Sequence, residues 1–358
     1  MGWAIYMIVL FCHKMLLCHK TYVSRLRLML QVWIVVCLLS SCSGIVPAQL
    51  IFDFRNQSDL LLPSQTDWVD QGIILEAGLE GEWDYYLWGG FAFSVLKRRG
   101  TYYLYYQGSS DYRTEFDETV LWRAIGLATS RDGIHFSKYT HNPIVTWLPN
   151  LYGEEGAVSS GVTLGEHGET FIYYGANTQE SSTTVNADVR VACAADGINF
   201  IDLGVVLDRN DSSVWGSGDE LFVVDAIYDQ GTWIIYYIPN GTPQGGALGV
   251  AYGSTFNGLS QSSAVTSGNK SVPAWGTASH VKISESTYAL LINNVRTKQT
   301  EVRVFSPQNP SVLSQPIAVY RYDDVQQATI LFDEELQTWF LYYRTFDNSY
   351  GVKTAVAK

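Results

Sequence analysis

The sequence predicts an all-β protein, a five-bladed β-propeller of four-stranded units set around an axis, on three observations. The first is composition: of 358 residues, 23 are Tyr, 15 Phe and 11 Trp, charged residues make up only 16%, and there are 31 Gly. Aromatic side chains favour the pleated, half-buried surface of a sheet. The second is an internal copy. "IGLATSRDGIHF" (125–136) and "VRVACAADGINF" (189–200) share an Ala, an Asp-Gly pair, the following Ile and a closing Phe at a constant offset of 64. The third is an aromatic strand that returns along the chain: "YYLYYQG" from Tyr102, "FIYYGAN" from Phe171, "WIIYYIPNG" from Trp233 and "WFLYYRT" from Trp339, with "YALLINN" from Tyr288 in the remaining slot. Self-similarity at a regular period marks a repeat architecture.

Centred on Tyr106, Tyr174, Tyr237, Leu291 and Tyr343, the repeats step by 68, 63, 54 and 52 residues. In the first unit "FAFSVLKRRGTYYLYYQGSS" reads as two strands around Arg99-Gly100, "IGLATS" as the third, and "IHFSKYTHNPIV" as the fourth. The Asp132-Gly133 pair before that last strand is a hairpin signal, because both turn positions favour φ > 0. No stretch keeps a 3.6-residue apolar period, so helices are expected to be minor. Four-stranded units repeated radially protect their sheet edges by closing a ring. The last unit stops after its third strand, "GVKTAVAK", while "LIFDFR" (50–55) has no partner of its own. This N-terminal strand is therefore expected to complete the fifth blade and close the ring. A two-sheet sandwich is the alternative fold, but it gives no reason for five equal repeats.

Residues 1–41 stand apart. They hold Lys14, Lys20, Arg25 and Arg27, no acidic residue, and an apolar run from Leu28 to Ser40. A positive region followed by a hydrophobic one reads as a secretory signal, with Met15 or Met29 as alternative starts for this overlong segment. "LSSC" at Leu39–Cys42 resembles a bacterial lipobox, so cleavage would leave Cys42 as a lipidated N-terminus. The expectation is a signal peptide over 1–41 and an exported propeller domain over 42–358, held at the cell envelope by a lipid and facing periplasm or exterior. An uncleaved anchor and an ordinary signal peptide are the alternatives. Without residues 1–41 the chain keeps 19 basic against 35 acidic residues, a net charge of −16. Nucleic acid is excluded as a partner on that balance, since phosphate binding needs a basic footprint. Of the five Cys, only Cys193 lies beyond Cys42, so neither a disulfide framework nor a zinc spacing is present.

The tyrosine-rich strand followed by "IGLATSRDGIHFSKY" and "NPIV", then a second such pair, resembles the five-bladed propeller glycosidases, the clan of families 43, 32, 68, 117 and 130. The resemblance spans about Phe52 to Lys358. It implies a funnel lined by the inner strands of the blades, where three acidic groups converge: a base or nucleophile, a group that orients the sugar or tunes a pKa, and an acid. Glycoside cleavage needs two carboxyl-type groups flanking the bond, one charged and one protonated.

Carried onto this chain, the resemblance makes Asp84 in "GEWDYYLWGGFAFSVL" the candidate base, as part of a Trp-Asp pair; the other position such proteins use is Ala92 here. "YGEEGAVSSGVTL" resembles a family 32 sugar-pocket segment and nominates Glu155 and Ser160 as substrate-binding, beside Glu154. "LFVVDAIYDQGTW" resembles the family 32 middle-acid strand and places Asp225 in that role, although Val224 and Ala226 replace the Arg and Pro of the motif. An Asp amid Phe222, Val223, Val224 and Ile227 is costly to bury without a partner, which supports the reading independently. In "WGTASHVKISESTY" the expected Glu is absent and the strand-interior group is His280, the candidate acid by likeness to family 117. Trp83, Trp88, Trp147 and Trp215 fall in segments leading into blades, where their faces can stack on sugar rings or cap the core.

These readings give a glycoside hydrolase working on a poly- or oligosaccharide, with Asp84 as base, Asp225 as orienting group and His280 or a funnel glutamate as acid. No cofactor is expected; acids and His280 near the axis leave room for a structural metal ion, though no spacing declares one. The alternative from another class is a non-catalytic carbohydrate-binding lipoprotein, which the departures at Ala92, Val224 and the missing Glu keep open.

Overall fold

The structure, a computed structural model, describes residues 61–87, 93–113, 119–146, 155–181, 184–218, 220–240, 246–274, 276–294, 296–321, 327–345 and 348–357. Among them the elements are strands, apart from one 3-10 turn at Gln65–Asp67, and no helix is long and apolar enough to cross a membrane.

The chain opens with β1 (Val69–Glu76) and the short β2 (Tyr86–Leu87). The first unit follows as β3 (Phe93–Arg98), β4 (Thr101–Arg113) and β5 (Thr119–Ser130), with β6 (Ser137–Lys138) and β7 (Val145–Thr146) both pairing with β5, and β2 with β4. The second is β8 (Glu155–Leu164), β9 (Thr170–Ser181), β10 (Thr184–Ala194) and β11 (Ile201–Leu207), and the third β12 (Glu220–Asp229), β13 (Thr232–Asn240), β14 (Gly249–Gly253) and β15 (Gln261–Ala264). After a small ribbon of β16 (Thr266–Ser267) and β17 (Lys270–Ser271) comes the fourth, β18 (Ala278–Ser284), β19 (Thr287–Asn294), β20 (Gln299–Phe305) and β21 (Ala318–Arg321). The fifth holds β22 (Gln327–Asp333), β23 (Thr338–Arg344) and β24 (Ser349–Val356). Each unit is an antiparallel meander, and a short parallel pairing of β5 with β8 joins the first two into one sheet.

The fourth strand of the fifth unit is β1, which runs antiparallel to β24 from Val69 opposite Thr354 to Glu76 opposite Ser349. An N-terminal strand thus does complete the last sheet, but it is Val69–Glu76; the expected segment 50–55 lies outside the described residues. The sequence hides β1 because Asp70, Gln71 and Gly72 break its apolar alternation, and two register shifts interrupt its ladder.

The repeated Tyr-Tyr pair has a packing cause. Successive strand residues face opposite sides of a sheet, so each pair sends one ring into the seam on either side. Tyr106 packs with Phe93, Phe340, Tyr342 and Tyr350 in the seam of the first and fifth sheets, while Tyr105 packs with Ala157, Val162 and Ile172 of the second. Tyr174 shares that second seam and Tyr173 turns to Val223, Trp233 and Ile235 of the third. Tyr237 lies with Tyr173, and Tyr236 faces Tyr288, Leu290 and Phe305 of the fourth. Between the fourth and fifth sheets Leu291 and Val302 meet Ile330, Trp339, Leu341 and Tyr343. The core is therefore divided among the seams between neighbouring sheets.

Arg99-Gly100 and Gln230-Gly231 both have positive φ at both residues, the type I′ turn that suits a two-residue hairpin. Asp132-Gly133 behaves differently. Only Gly133 is left-handed, and the Asp132 carboxylate accepts the backbone N–H of Ile134 (2.9 Å) and His135 (2.8 Å). Asp196 repeats this with Ile198 and Asn199. The expected two-residue hairpin is in fact a wider bend, because the carboxylate supplies the acceptor that a cross-strand carbonyl would otherwise provide.

Candidate functional site

The first strands of the sheets, β3, β8, β12, β18 and β22, contact one another in sequence, and β22 also contacts β3. A polar link crosses every one of these contacts. Ser94 Oγ donates to the Ser160 carbonyl (3.3 Å), and the Tyr228 N–H donates to Thr163 Oγ1 (3.1 Å). The Ile330 N–H donates to Ser279 Oγ (3.1 Å), and Lys97 pairs with Asp333 (2.8 Å). The remaining link joins Asp225 on β12 to His280 on β18, with His280 Nδ1 at 3.0 and 2.9 Å from the two carboxylate oxygens.

Two of these contacts carry the same second device. Asp229 ends β12 and takes Lys282 (2.7 Å) and the Tyr288 hydroxyl (2.8 Å) from the fourth sheet. Asp333 ends β22 and takes Lys97 and the Tyr102 hydroxyl from the first. In both, the Lys stands opposite the Tyr in the ladder, and its ammonium lies over that ring. These carboxylates are neutralised and hold sheets together.

Asp225 is the inner-strand carboxylate paired instead with an imidazole. A register shift between Val223 and Asp225 bulges the strand at Val224, and Oδ1 accepts the Ala226 N–H (2.9 Å). Asp225 is buried. Burial pushes its carboxyl above the usual carboxylate range, while the charge and hydrogen bond of His280 act the other way without cancelling it. When His280 donates Nδ1–H to this carboxylate, Nε2 is left to exchange a proton with a bound group. The His280 side chain is 24% exposed. It lines a cavity of about 250 Å³ with Lys282, Tyr288, Ile330, Phe332 and Glu334.

Asp84 is elsewhere. Its carboxylate pairs with Lys138 on β6 (2.7 Å) and accepts the Tyr106 hydroxyl (3.0 Å), and Trp83 lies against Gly108 and Gly126 of β4 and β5. Lys138 belongs to the outer strand of the first sheet, so Asp84 faces the periphery and is neutralised there. Asp84 is thus not brought together with Asp225 and His280, and β3 itself, Phe93–Arg98, contains no carboxylate. Trp83 packs on Tyr106 with ring centroids 5.6 Å apart, as part of the core of that seam. Trp215 likewise packs in the core of the second and third sheets, its carbonyl accepting the Tyr237 hydroxyl. Both indoles are partly buried against these seams.

Ser160 lies on β8 with a buried Oγ that has no partner among the described residues. Glu155 opens the same strand, and nothing is described of its side chain. Glu220, which the sequence reading passed over, opens β12 five positions before Asp225; its place at the head of an inner strand was the available signal. Cys42, Trp88, Ala92, Trp147 and Glu154 lie outside the described residues. No group of three or more His, Cys, Asp or Glu among the described residues is arranged to hold a metal.

No family model matches the chain, and no curated protein matches it. Solved structures do. A candidate glycosidase from Bacteroides thetaiotaomicron VPI-5482 aligns with a TM-score of 0.54 at 14% identity, over 82% of this chain and 97% of the other. A family 117 glycoside hydrolase of the marine bacterium Zobellia galactanivorans gives 0.53 at 13% identity, over 82% and 91%. The GH43_1 enzyme from Xanthomonas citri complexed with xylose gives 0.52 at 12% identity, over 81% and 90%. With its five meanders, their seams and these alignments taken together, the chain has the fold of the propeller glycoside hydrolases.

Proposed function

We propose that the protein is an exported glycoside hydrolase on a five-bladed β-propeller, with β1 completing the fifth blade and a lipid on Cys42 as its membrane anchor. The fold likeness supports the class, because function lives in the site and must be argued there. The observation that carries the reading is the Asp225–His280 pair on adjacent inner strands. Asp225 holds the imidazole through Nδ1, and His280 Nε2 delivers its proton to the glycosidic oxygen as the bond to the anomeric carbon breaks. Water attacks that carbon and gives its proton to a second carboxylate. Glu155 and Glu220, at the heads of β8 and β12, are the candidates for it in place of Asp84. Ser160, whose Oγ has no partner among the described residues, is the proposed contact for a sugar hydroxyl.

The absence of a carboxylate on β3 favours a second reading, a carbohydrate-binding protein without turnover. Hydrolysis of a panel of plant and algal oligosaccharides by wild type, Asp225→Ala and His280→Ala decides between them. Turnover by wild type that falls by about 100-fold or more in both variants is expected, the usual weight of a positioned proton donor. Binding without turnover in all three proteins selects the second reading.

A further inference from the structure

A row of three side chains crosses the fifth sheet where β22 begins. Gln327 stands opposite Arg344 on β23, and Arg344 opposite Tyr350 on β24. Residues directly opposite in antiparallel strands project from the same face, with Cβ atoms roughly 5 Å apart. Ala328 and Ile330, the alternate residues of β22, pack into the seam with the fourth sheet, so Gln327 belongs to the other face, toward the first sheet. Tyr350 confirms that side by packing on Phe93 at 4.9 Å between ring centroids.

Arg344 Nε donates to the Leu87 carbonyl (2.7 Å), but its two neighbours in the row are under-satisfied. Gln327 is 2% exposed and its buried Oε1 has no partner among the described residues; the Tyr350 hydroxyl is buried without one among them as well. Buried polar groups are almost always paired, and a buried amide acceptor and a buried phenol donor on one row are costly to maintain unused. Neither strand ladder nor core packing requires an amide at this position, since Met has nearly the same shape and no polar atom. Gln327 also heads an inner strand, about four residues before the level of His280, as the Ser279–Ile330 hydrogen bond sets it. At about 3.3 Å of rise per residue, that is about 13 Å, more than the length of one sugar ring.

We propose that Gln327, with Tyr350 beyond Arg344 on the same row, is a hydroxyl-reading subsite for a neutral sugar bound at the heads of the inner strands, more than one ring away from His280. An acceptor and a donor on one row match the hydroxyls of a pyranose, each of which both donates and accepts. The inference rests on the glycan-binding reading of the axial site but not on turnover.

Titration calorimetry with xylose, mannose, galactose and glucose, each with wild type, Gln327→Met and Tyr350→Phe, tests it, alongside thermal melts of all three proteins. At least one of the sugars is expected to bind wild type, and Gln327→Met is expected to weaken that binding about tenfold or more while its melting temperature stays level or rises. Tyr350→Phe is expected to fold as wild type does and to lose affinity by a smaller factor. Binding by Gln327→Met within twofold of wild type overturns the proposal, as does a wild type that binds none of the four sugars. A Gln327→Met protein that melts lower than wild type also overturns it, because the amide is then satisfied internally. Loss of hydrolysis in His280→Ala with sugar binding intact bears on the reaction alone and leaves this subsite standing.

Discussion

Gly161 on β8 stands directly against Asp225 on β12: a Cβ at Gly161 would lie 2.5 Å from the Asp225 carbonyl carbon and 2.6 Å from the Ala226 nitrogen. The two inner strands approach so closely that only hydrogen fits between them. The backbone carrying the Asp225 carboxylate is thereby fixed from behind while His280 fixes the side chain from the front.

Gly161→Ala is therefore expected to act at a distance from any ligand. Backbone atoms cannot rotate away as a side chain could, so β12 must shift, at a cost of about 1–3 kcal/mol. The Asp225–His280 geometry shifts with it. Denaturant unfolding should show the loss of stability, and turnover by the residual folded protein should fall with kcat more affected than KM.

Asp84→Asn separates a structural carboxylate from a catalytic one. Removing the charge that Lys138 and the Tyr106 hydroxyl face should cost about 1–3 kcal/mol in stability. The kcat of the folded variant should stay within about twofold of wild type. A loss of turnover comparable to that of His280→Ala, with unchanged stability, would return Asp84 to the reaction.

Acid should weaken the seam between the fifth and first sheets. Burial by itself would raise the Asp333 carboxyl, but hydrogen bonds from Lys97, Tyr102 and the Leu336 N–H outweigh it and hold the group below its ordinary value. A carboxyl depressed in the folded state contributes stability that is fully present above its unfolded pKa, about 3.9, and is lost as pH falls through the folded value. Melting temperature should accordingly decline below about pH 4, and Asp333→Asn should be less stable at neutral pH with a shallower acid decline. Asp70 and Asp202 are held low in the same sense, by Lys353 and by Arg190, so part of the decline should survive the substitution.

Much of the fold was legible because its repeat is written in side chains that serve the same seam in each unit. Tyr105-Tyr106, Tyr173-Tyr174, Tyr236-Tyr237 and Tyr342-Tyr343 recur because in these four units the second strand fills the seam on each face with one large ring, while the fourth unit uses Leu290 and Leu291. Asp225 and His280 were legible for the opposite reason: a titratable group inside a strongly apolar strand has to find a partner. The surroundings of Asp84 were not legible, because a Trp-Asp pair in a loop carries no mark of which strand it will lie against, and Lys138 is a partner that only folding supplies.

The sequence by itself determined the all-β class, the recurrence and spacing of the aromatic strand, and the strands that carry Asp225 and His280. These follow from period and polarity, which are local properties of a chain. Tertiary structure alone decided that β1 completes the last sheet, that Asp229 and Asp333 are consumed by Lys282 and Lys97, and that Asp225 keeps an imidazole for its partner. It also decided that Gln327 and Tyr350 are enclosed without one among the described residues. Those outcomes depend on which sheets meet and at what register, and so on the packing of aromatic rings across seams between residues far apart in the chain.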